Sequence, residues 1–308
     1  MKDSIVAKQI DVIGFPMDLG ADRRGVDMGP SALRIAGIGS KLTSMGYSVV
    51  DLGDITIQNI EKQVIKNAKM KYLDEIVKTS EELSEMVEKS LNEGHFPLCL
   101  GGDHSMAIGS IAGIAAHCNA HNKKLGVIWI DAHSDMNTDE TSPSGNIHGM
   151  PVAASLGMGN KALTHIGGFA PKIEPENIAL LGIRSVDSRE RETIQKLKLS
   201  VYTMTDIDRK GINYIITKIL KELKERVDHI HVSFDLDSVD PAIAPGVGTP
   251  VPGGLSYRET HLIMETIAEC GCMSSLEIAE TNPILDNKNR SAKFAAELVT
   301  SSMGMRIL

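Results

Sequence analysis

Short apolar runs alternate along the chain with longer amphipathic stretches. Eight runs of four to seven residues are candidate strands, and they cover residues 10–15, 47–52, 96–100, 125–130, 178–182, 200–204, 229–234 and 273–278. Several of them are apolar at nearly every position, which is typical of strands buried on both faces of a parallel sheet. The pattern therefore predicts a sheet that is covered by helices on both sides.

The stretches between these runs carry apolar residues at helical spacing. They predict helices at residues 30–45, 72–92, 105–121, 211–226, 257–268 and 289–303. Alternation of strands and helices predicts an α/β fold with right-handed crossovers. No Pro-rich or Gly-rich linker divides the sequence, so we expect a single domain over residues 1–308.

Composition narrows the class of protein. Of the 308 residues, 42% are hydrophobic and 23% are charged, which is ordinary for a globular protein, and the formal net charge is -8. The acidic balance disfavours nucleic acid and anionic membrane surfaces as partners. We find no signal peptide and no apolar run near the ~20 residues that span a bilayer, so we expect a cytoplasmic protein. The four cysteines form no CxxC pair, and we expect them to be buried and reduced.

Three segments place acidic residues or histidines directly after an apolar run. They read Gly-Gly-Asp-His-Ser at residues 101–105, Asp-Ala-His-Ser-Asp at 131–135 and Ser-Phe-Asp-Leu-Asp at 233–237. Ligands of open α/β sheets bind at the carboxyl ends of the strands, so we expect the three segments to converge on one site.

The spacing within these segments points to metal binding. Asp131, His133 and Asp135 alternate along the chain and should point to one side of it, and Asp235 and Asp237 repeat the arrangement. Either motif alone leaves a metal ligand and a helix cap or turn residue about equally favoured. Carboxylates gathered at buried strand ends repel one another unless cations are bound, so both motifs together favour two divalent metals. Oxygen-rich donors with a few imidazoles favour Mn²⁺ over Zn²⁺.

These motifs resemble, in the same order, the three metal motifs of the ureohydrolase family. Residues 24–30, Arg-Gly-Val-Asp-Met-Gly-Pro, are similar to the N-terminal loop of the bacterial arginases within that family, and the likeness covers nearly the whole chain. It implies a three-layer α/β/α fold with a mainly parallel eight-stranded sheet and two Mn²⁺ ions per subunit. The first ion would take His104, Asp131, Asp135 and Asp235. The second would take Asp131, His133, Asp235 and Asp237.

The resemblance also implies where an amino-acid substrate binds. The loop after residue 135 is similar to the one in which arginases hold the substrate α-carboxylate, and its matching uncharged donors are Asn137, Ser142 and Ser144. Such donors suit a carboxylate without leaving a buried unpaired cation. Asp187 would take the α-amino group. Many arginases have an acid where Ser185 stands, which leaves the outer contacts open, including any part for Glu190.

The reacting end of the substrate falls to other residues. Glu280 begins the segment Glu-Thr-Asn-Pro, which is similar to a family motif that holds the guanidinium, and Thr249 would line the same pocket. The implied reaction is hydrolysis of L-arginine to L-ornithine and urea by a metal-bridging hydroxide, because the resonance-stabilised guanidinium needs a strong nucleophile. Asp135 and His148 are the candidates for moving protons, and the sequence does not divide that task between them.

Other activities remain open at this level. The substrate could instead be agmatine or another guanidino compound, although the carboxylate-binding loop favours arginine. A deacetylase of related architecture with one Zn²⁺ is disfavoured, because one Zn²⁺ does not need six ligands. A non-catalytic oligomeric binding protein is disfavoured because each metal-ligand position is filled. The resemblance implies a homotrimer or a homohexamer.

Overall fold

The computed structural model describes residues 9–306 and contains an eight-stranded sheet. Its strands are β1 (Gln9–Phe15), β2 (Ser48–Asp54), β3 (Phe96–Gly101), β4 (Leu125–Ile130), β5 (Ile178–Ile183), β6 (Ser200–Thr203), β7 (His229–Asp235) and β8 (Met273–Ala279). They lie in the order β2-β1-β3-β8-β7-β4-β5-β6, and all neighbouring strands are parallel. The eight strands predicted from the apolar runs are confirmed.

Helices cover both faces of this sheet. Within the described residues they are α1 (Gly29–Ile35), α2 (Ile38–Ser44), α3 (Leu73–Asn92), α4 (Met106–Ala120), α5 (Pro151–Ser155), α6 (Lys161–Thr164), α7 (Ser188–Leu197), α8 (Met204–Lys210), α9 (Ile212–Lys224), α10 (Tyr257–Cys270) and α11 (Arg290–Ser302). In one apolar core, helices α1, α2, α8, α9, α10 and α11 pack against the sheet face that carries Val232 and Phe234. In a second core, helices α3, α4 and α5 pack against the opposite face, which carries Val127 and Trp129. The predicted three-layer α/β/α fold is confirmed.

Two parts of the helix prediction are wrong. The single helix expected over residues 30–45 is two helices, because Gly37 between them has a φ of 83°, which a right-handed helix cannot contain. The helices α5, α6, α7 and α8 were not predicted at all. They are short, and their stability depends on caps and packing more than on a long apolar stripe.

The expectation of four reduced cysteines is wrong for one pair. Cys270 and Cys272 form a disulfide across Gly271, with their Cα atoms 5.3 Å apart. Gly271 ends α10 in the left-handed conformation, which turns the chain so that the two side chains meet. Cys99 and Cys118 are buried free thiols, as expected.

The turn between β3 and α4 requires its second glycine. A Cβ atom at Gly102 would lie 2.0 Å from the carbonyl oxygen of Met17, so no other residue fits there. The amide of Gly102 also donates to the carbonyl of Phe15 over 2.8 Å, which ties the turn to the end of β1. This close approach holds the Asp-His segment that follows against the carboxyl edge of the sheet.

The central strands β3, β8, β7 and β4 bring the predicted motifs to one level of this edge. Phe234 pairs in register with Ile130 and with Ile278, so the residues that follow on the three strands stand side by side. Among residues 9–306, no helix combines the length and the apolarity needed to cross a membrane.

Candidate metal centre

Two groups of metal-binding side chains meet where the central strands end. In the first group, His104 Nδ1 lies 3.1 Å from Asp131 Oδ2, 3.0 Å from Asp235 Oδ2 and 3.5 Å from Asp135 Oδ2. These atoms come from the ends of three different strands. His104 and Asp131 are almost completely buried, with 1% and 0% of their surface exposed.

The second group lies beside the first and shares one carboxylate with it. His133 Nδ1 is 3.4 Å from Asp131 Oδ1 and 3.1 Å from Asp237 Oδ2. The ligand atoms of His104, Asp131 and Asp235 lie within 4.8 Å of one another, as do those of Asp131, His133 and Asp237. Asp131 therefore offers one oxygen to each group. Asp235 belongs to the first group only, whereas the family pattern predicts that it bridges both.

Negative charge is crowded at this point. Burial and the nearby Asp237 and Asp131 hold the pKa of Asp235 well above its ordinary value, and burial and Asp131 do the same to the pKa of Asp135. Burial also acts to raise the pKa of Asp131, but hydrogen bonds with the two histidines outweigh it and the pKa is lowered. Four buried carboxylates face two imidazoles, and such a cluster is stabilised by added positive charge.

Divalent cations fit this donor set. The oxygens and imidazole nitrogens converge in two small groups, and each group mixes carboxylates with one histidine. Side chains of this kind bind divalent metals, and a shared carboxylate is the arrangement expected when two ions lie close together. The structure thus supports a metal-binding site built from the predicted residues.

A cavity of about 170 Å³ opens beside the two groups. Predicted metal, substrate and proton-transfer residues line it together: His104, His133, Asp135, Asn137, Ser142, Ser144, His148, Asp235 and Thr249. Asp187 does not line it and instead caps α7, where its Oδ1 accepts from the amides of Arg189 and Glu190. Thr249 donates to Asp237 Oδ2 over 2.8 Å, so it touches a predicted ligand as well as the cavity.

The loop on one side of the cavity presents uncharged donors. Ser142 Oγ accepts from the amide of Gly145 and Ser144 Oγ accepts from the amide of Asn146, so each hydroxyl keeps its own proton to donate. Asn137 Nδ2 donates to Asp187 Oδ2 over 2.9 Å, which connects this loop to Asp187.

Glu280 is buried and does not line the cavity, but it contacts two residues that do, His104 and His148. Its Oε1 accepts from the backbone N–H of His104 over 3.0 Å and lies 3.1 Å from His148 Nδ1. Its Oε2 is buried and has no hydrogen-bond partner among the described residues, which is costly for a carboxylate unless a cationic ligand binds it. Glu280 has a φ of 61° and Asp135 a φ of 49°, strained conformations that cluster at functional sites.

The structure gives Glu190 a role that the sequence left open. Its Oε1 accepts from Ser134 Oγ over 2.7 Å and from the amide of Met136 over 3.1 Å. Its Oε2 accepts from the amide of Asp187 over 3.0 Å. Glu190 therefore ties the start of α7 to the segment that carries Asp135. The Asp-x-x-Glu spacing of a capping box was the available signal, although it predicts only a helix start.

A parallel sheet covered on both faces, with carboxylates and imidazoles gathered at its carboxyl edge beside a cavity, defines a metal-binding enzyme of the three-layer α/β/α class. Comparison with known proteins is more specific. The model of the arginase family matches residues 8–304. The arginase of Bacillus subtilis is 54% identical over 302 residues, which cover 98% of this chain and 99% of that protein.

Solved structures agree with this assignment. The native arginase from Bacillus caldovelox superimposes with a TM-score of 0.94 at 50% identity and covers 98% of this chain and 100% of its own. The arginase of Entamoeba histolytica in complex with L-ornithine gives a TM-score of 0.88 at 32% identity and covers 97% and 99%. The chain belongs to the arginase family and is a hydrolase.

Proposed function

We propose that the chain hydrolyses L-arginine to L-ornithine and urea at a site that holds two Mn²⁺ ions. The observation that carries the proposal is the unpartnered, buried Oε2 of Glu280 beside two metal-binding groups that share Asp131. This arrangement suits a ligand with a cationic end that must meet activated water. Relatives named as arginases, one of them with L-ornithine bound, support the choice of substrate.

The residues that would bind the metals are His104, Asp131, His133, Asp135, Asp235 and Asp237. Their four carboxylates and two imidazoles suit Mn²⁺, which prefers oxygen ligands and accepts nitrogen. Two such ions would supply the water activation and the electrostatic stabilisation that attack on a guanidinium requires. In the balanced reaction, water adds to the guanidinium carbon, the bond from that carbon to Nε breaks, and the released amine keeps the positive charge.

Glu280 would hold the guanidinium. Its carboxylate is oriented by the N–H of His104 and keeps a free oxygen to pair with the planar cation. Such pairing fixes the guanidinium carbon beside the metal-binding groups, and positioning of this kind accounts for much of an enzyme's rate.

The opposite end of the cavity would bind the amino-acid part of the substrate. Asn137, Ser142 and Ser144 would donate to the α-carboxylate. Asp187 would accept from the α-amino group, with its position set by Asn137 and Glu190. These contacts would distinguish arginine from agmatine, which has no carboxylate.

Asp135 and His148 would move protons. Asp135 belongs to the metal-binding cluster, and His148 lies beside Glu280 with 19% of its side chain exposed to the cavity. A proton could therefore pass from the reacting atoms to His148 and on to solvent. We also propose that the chain acts as one domain and assembles as a homotrimer or homohexamer, in line with the family.

The decisive test is urea release from L-arginine and from agmatine, each with Mn²⁺-loaded and chelator-treated protein. We expect Mn²⁺-dependent urea from arginine and at least about a hundredfold lower kcat/KM for agmatine, because several polar contacts to the substrate are then lost. Comparable activity on agmatine would reject the assignment of the carboxylate-binding loop. No urea from either compound would reject the proposed reaction.

Replacing His104 with asparagine should lower the affinity for one Mn²⁺ ion at least tenfold and leave the affinity for the other unchanged. We expect a partial loss of activity. His104 Nδ1 contacts the first group only, whereas the second group has its own histidine. Equilibrium dialysis with metal analysis gives the two affinities. His133→Asn is the matched control, and it should weaken the other ion. Two tightly bound ions and full activity in His104→Asn would contradict the ligand assignment.

A further inference from the structure

We infer that Trp129 is a positioning residue that holds two ligands of the first metal-binding group, His104 and Asp131, in place before a metal binds. The inference rests on the proposed metal centre and adds to it a residue that is not itself a ligand. Two independent contacts carry it: a hydrogen bond to Asp131 and a ring stack on His104.

The hydrogen bond follows from the strand geometry. Trp129 and Asp131 are two residues apart at the end of β4, so their side chains point to the same face of the sheet. The indole Nε1–H donates to Asp131 Oδ2 over 3.0 Å. That oxygen is also the one that faces His104 Nδ1. A carboxylate oxygen has two lone-pair directions, so the indole can occupy one and leave the other for a metal.

The ring stack acts on the second ligand. The rings of Trp129 and His104 are nearly parallel, with an interplanar angle of 11° and centroids 4.0 Å apart. At the far edge of the imidazole, His104 Nε2 lies 2.8 Å from Ser233 Oγ. The imidazole is thus supported on one face and at one nitrogen, and its Nδ1 is left pointing at the carboxylates. Hydrogen bonds of this kind fix the tautomer and orientation of a metal-binding histidine.

The second group lacks this support. No aromatic ring stacks on His133 within the part of the chain that the structure describes, and 28% of its side chain is exposed. Asp237 receives the hydroxyl of Thr249 and the amide of Ala132. A residue that only fills the core would affect both groups alike through stability. A residue that stacks on His104 and binds the Asp131 oxygen of the first group, Oδ2, should affect the first group far more.

The variants Trp129→Phe and Trp129→Leu separate the two contacts. Phenylalanine keeps an aromatic face and removes the N–H, whereas leucine removes both. Metal-free protein is titrated with Mn²⁺ by equilibrium dialysis. We expect the ion that His104→Asn weakens to bind about 10-fold to 100-fold more weakly in Trp129→Phe, and more weakly still in Trp129→Leu, with the other ion changed less than about threefold.

Phe96→Leu is the matched control. Phe96 is a buried aromatic residue of the same sheet, 6% exposed, at the opposite end of β3 from the metal-binding groups. Its replacement should lower the melting temperature and leave both Mn²⁺ affinities unchanged. If Phe96→Leu weakens the same ion as strongly as Trp129→Phe does, the effect is one of stability and the inference is rejected.

A second measurement needs no change at Trp129. The sequence contains one tryptophan, so fluorescence that is excited at a wavelength where tyrosine does not absorb reports on Trp129 alone. We expect Mn²⁺ to change the emission in His133→Asn at the same concentration as in the unaltered protein, and in His104→Asn only at a concentration at least tenfold higher. If the Mn²⁺ concentration that changes the emission rises equally in the two variants, the inference is overturned. This outcome can be measured even if Trp129→Phe does not fold.

The outcomes also separate this inference from the proposed function. Unaltered protein that does not bind two Mn²⁺ ions would contradict the proposed centre itself. Unaltered protein that binds two ions, together with unchanged affinities in Trp129→Phe, would contradict only the role of Trp129.

Discussion

Replacing Glu280 with glutamine should lower kcat/KM for L-arginine by about a thousandfold while both Mn²⁺ ions stay bound. Glutamine has nearly the same shape, and its carbonyl oxygen can still accept from the N–H of His104. In place of the free Oε2 of Glu280, glutamine has an NH₂ group, which cannot pair with a cation. Loss of a charge-assisted contact that orients the reacting group removes positioning and electrostatic stabilisation together.

Steady-state kinetics and metal analysis on the same sample test this prediction. Glu277→Gln is the control, because it removes a nearby buried carboxylate of β8 that contacts His231 and Ser110, whereas Glu280 contacts His104 and His148 beside the cavity. That variant should lose stability and keep kcat/KM within about tenfold. If Glu280→Gln keeps both its metal and its kcat/KM, the guanidinium contact is wrong, and if it loses its metal, Glu280 has a structural role at the metal centre.

Replacing Asp235 with asparagine should remove the stabilisation that the first Mn²⁺ ion gives the protein and reduce activity at least about a thousandfold. Asp235 contributes to the first group, so its loss removes a charged ligand. One Mn²⁺ ion at a thousand times its dissociation constant stabilises a protein by about 4 kcal/mol, which is roughly 6 °C in melting temperature for a chain of 308 residues. We expect roughly 12 °C from two ions in the unaltered protein and roughly half of that shift in Asp235→Asn, which keeps the second group.

In the metal-free protein, replacing Asp235 with asparagine should not lower the melting temperature. Asp235 is repelled by Asp237 and Asp131, and the raised pKa of its carboxyl reflects that repulsion and its burial. Asparagine removes the repulsion, so metal-free Asp235→Asn should melt no lower than metal-free unaltered protein. Thermal melts with chelator and with Mn²⁺ measure both effects. Asp240→Asn, at a half-buried turn outside the two groups, should keep the full shift. A full Mn²⁺ shift in Asp235→Asn would show that Asp235 is not a ligand.

The fold could be predicted largely from the sequence because a parallel sheet buried on both faces demands continuous apolar runs. Each of the runs became a strand, and the long amphipathic stretches became helices such as α3 and α9. Helices that depend on a few local contacts could not be found in this way. The capping box of Asp187 and Glu190 and the break at Gly37 are examples, because each depends on one or two backbone angles and not on a repeated pattern.

The sequence by itself determined which side chains could bind metal and at which strand ends they stand. Alternation along a strand puts Asp131 and Asp135 on one side, and parallel strands bring their carboxyl ends to one edge. Their assignment as ligands stays a prediction. Only the tertiary structure decided how they are grouped, with Asp131 in both groups and Asp235 in one.

The tertiary structure also decided what holds the site in shape. Two contacts join residues that are far apart in the chain: the link from Glu190 to the segment with Asp135, and the stack of Trp129 on His104. The same packing leaves one oxygen of Glu280 free. Contacts of this kind depend on distances of a few tenths of an ångström between packed elements. Sequence pattern selects the residues, whereas packing sets their distances, and distances decide what the site can bind.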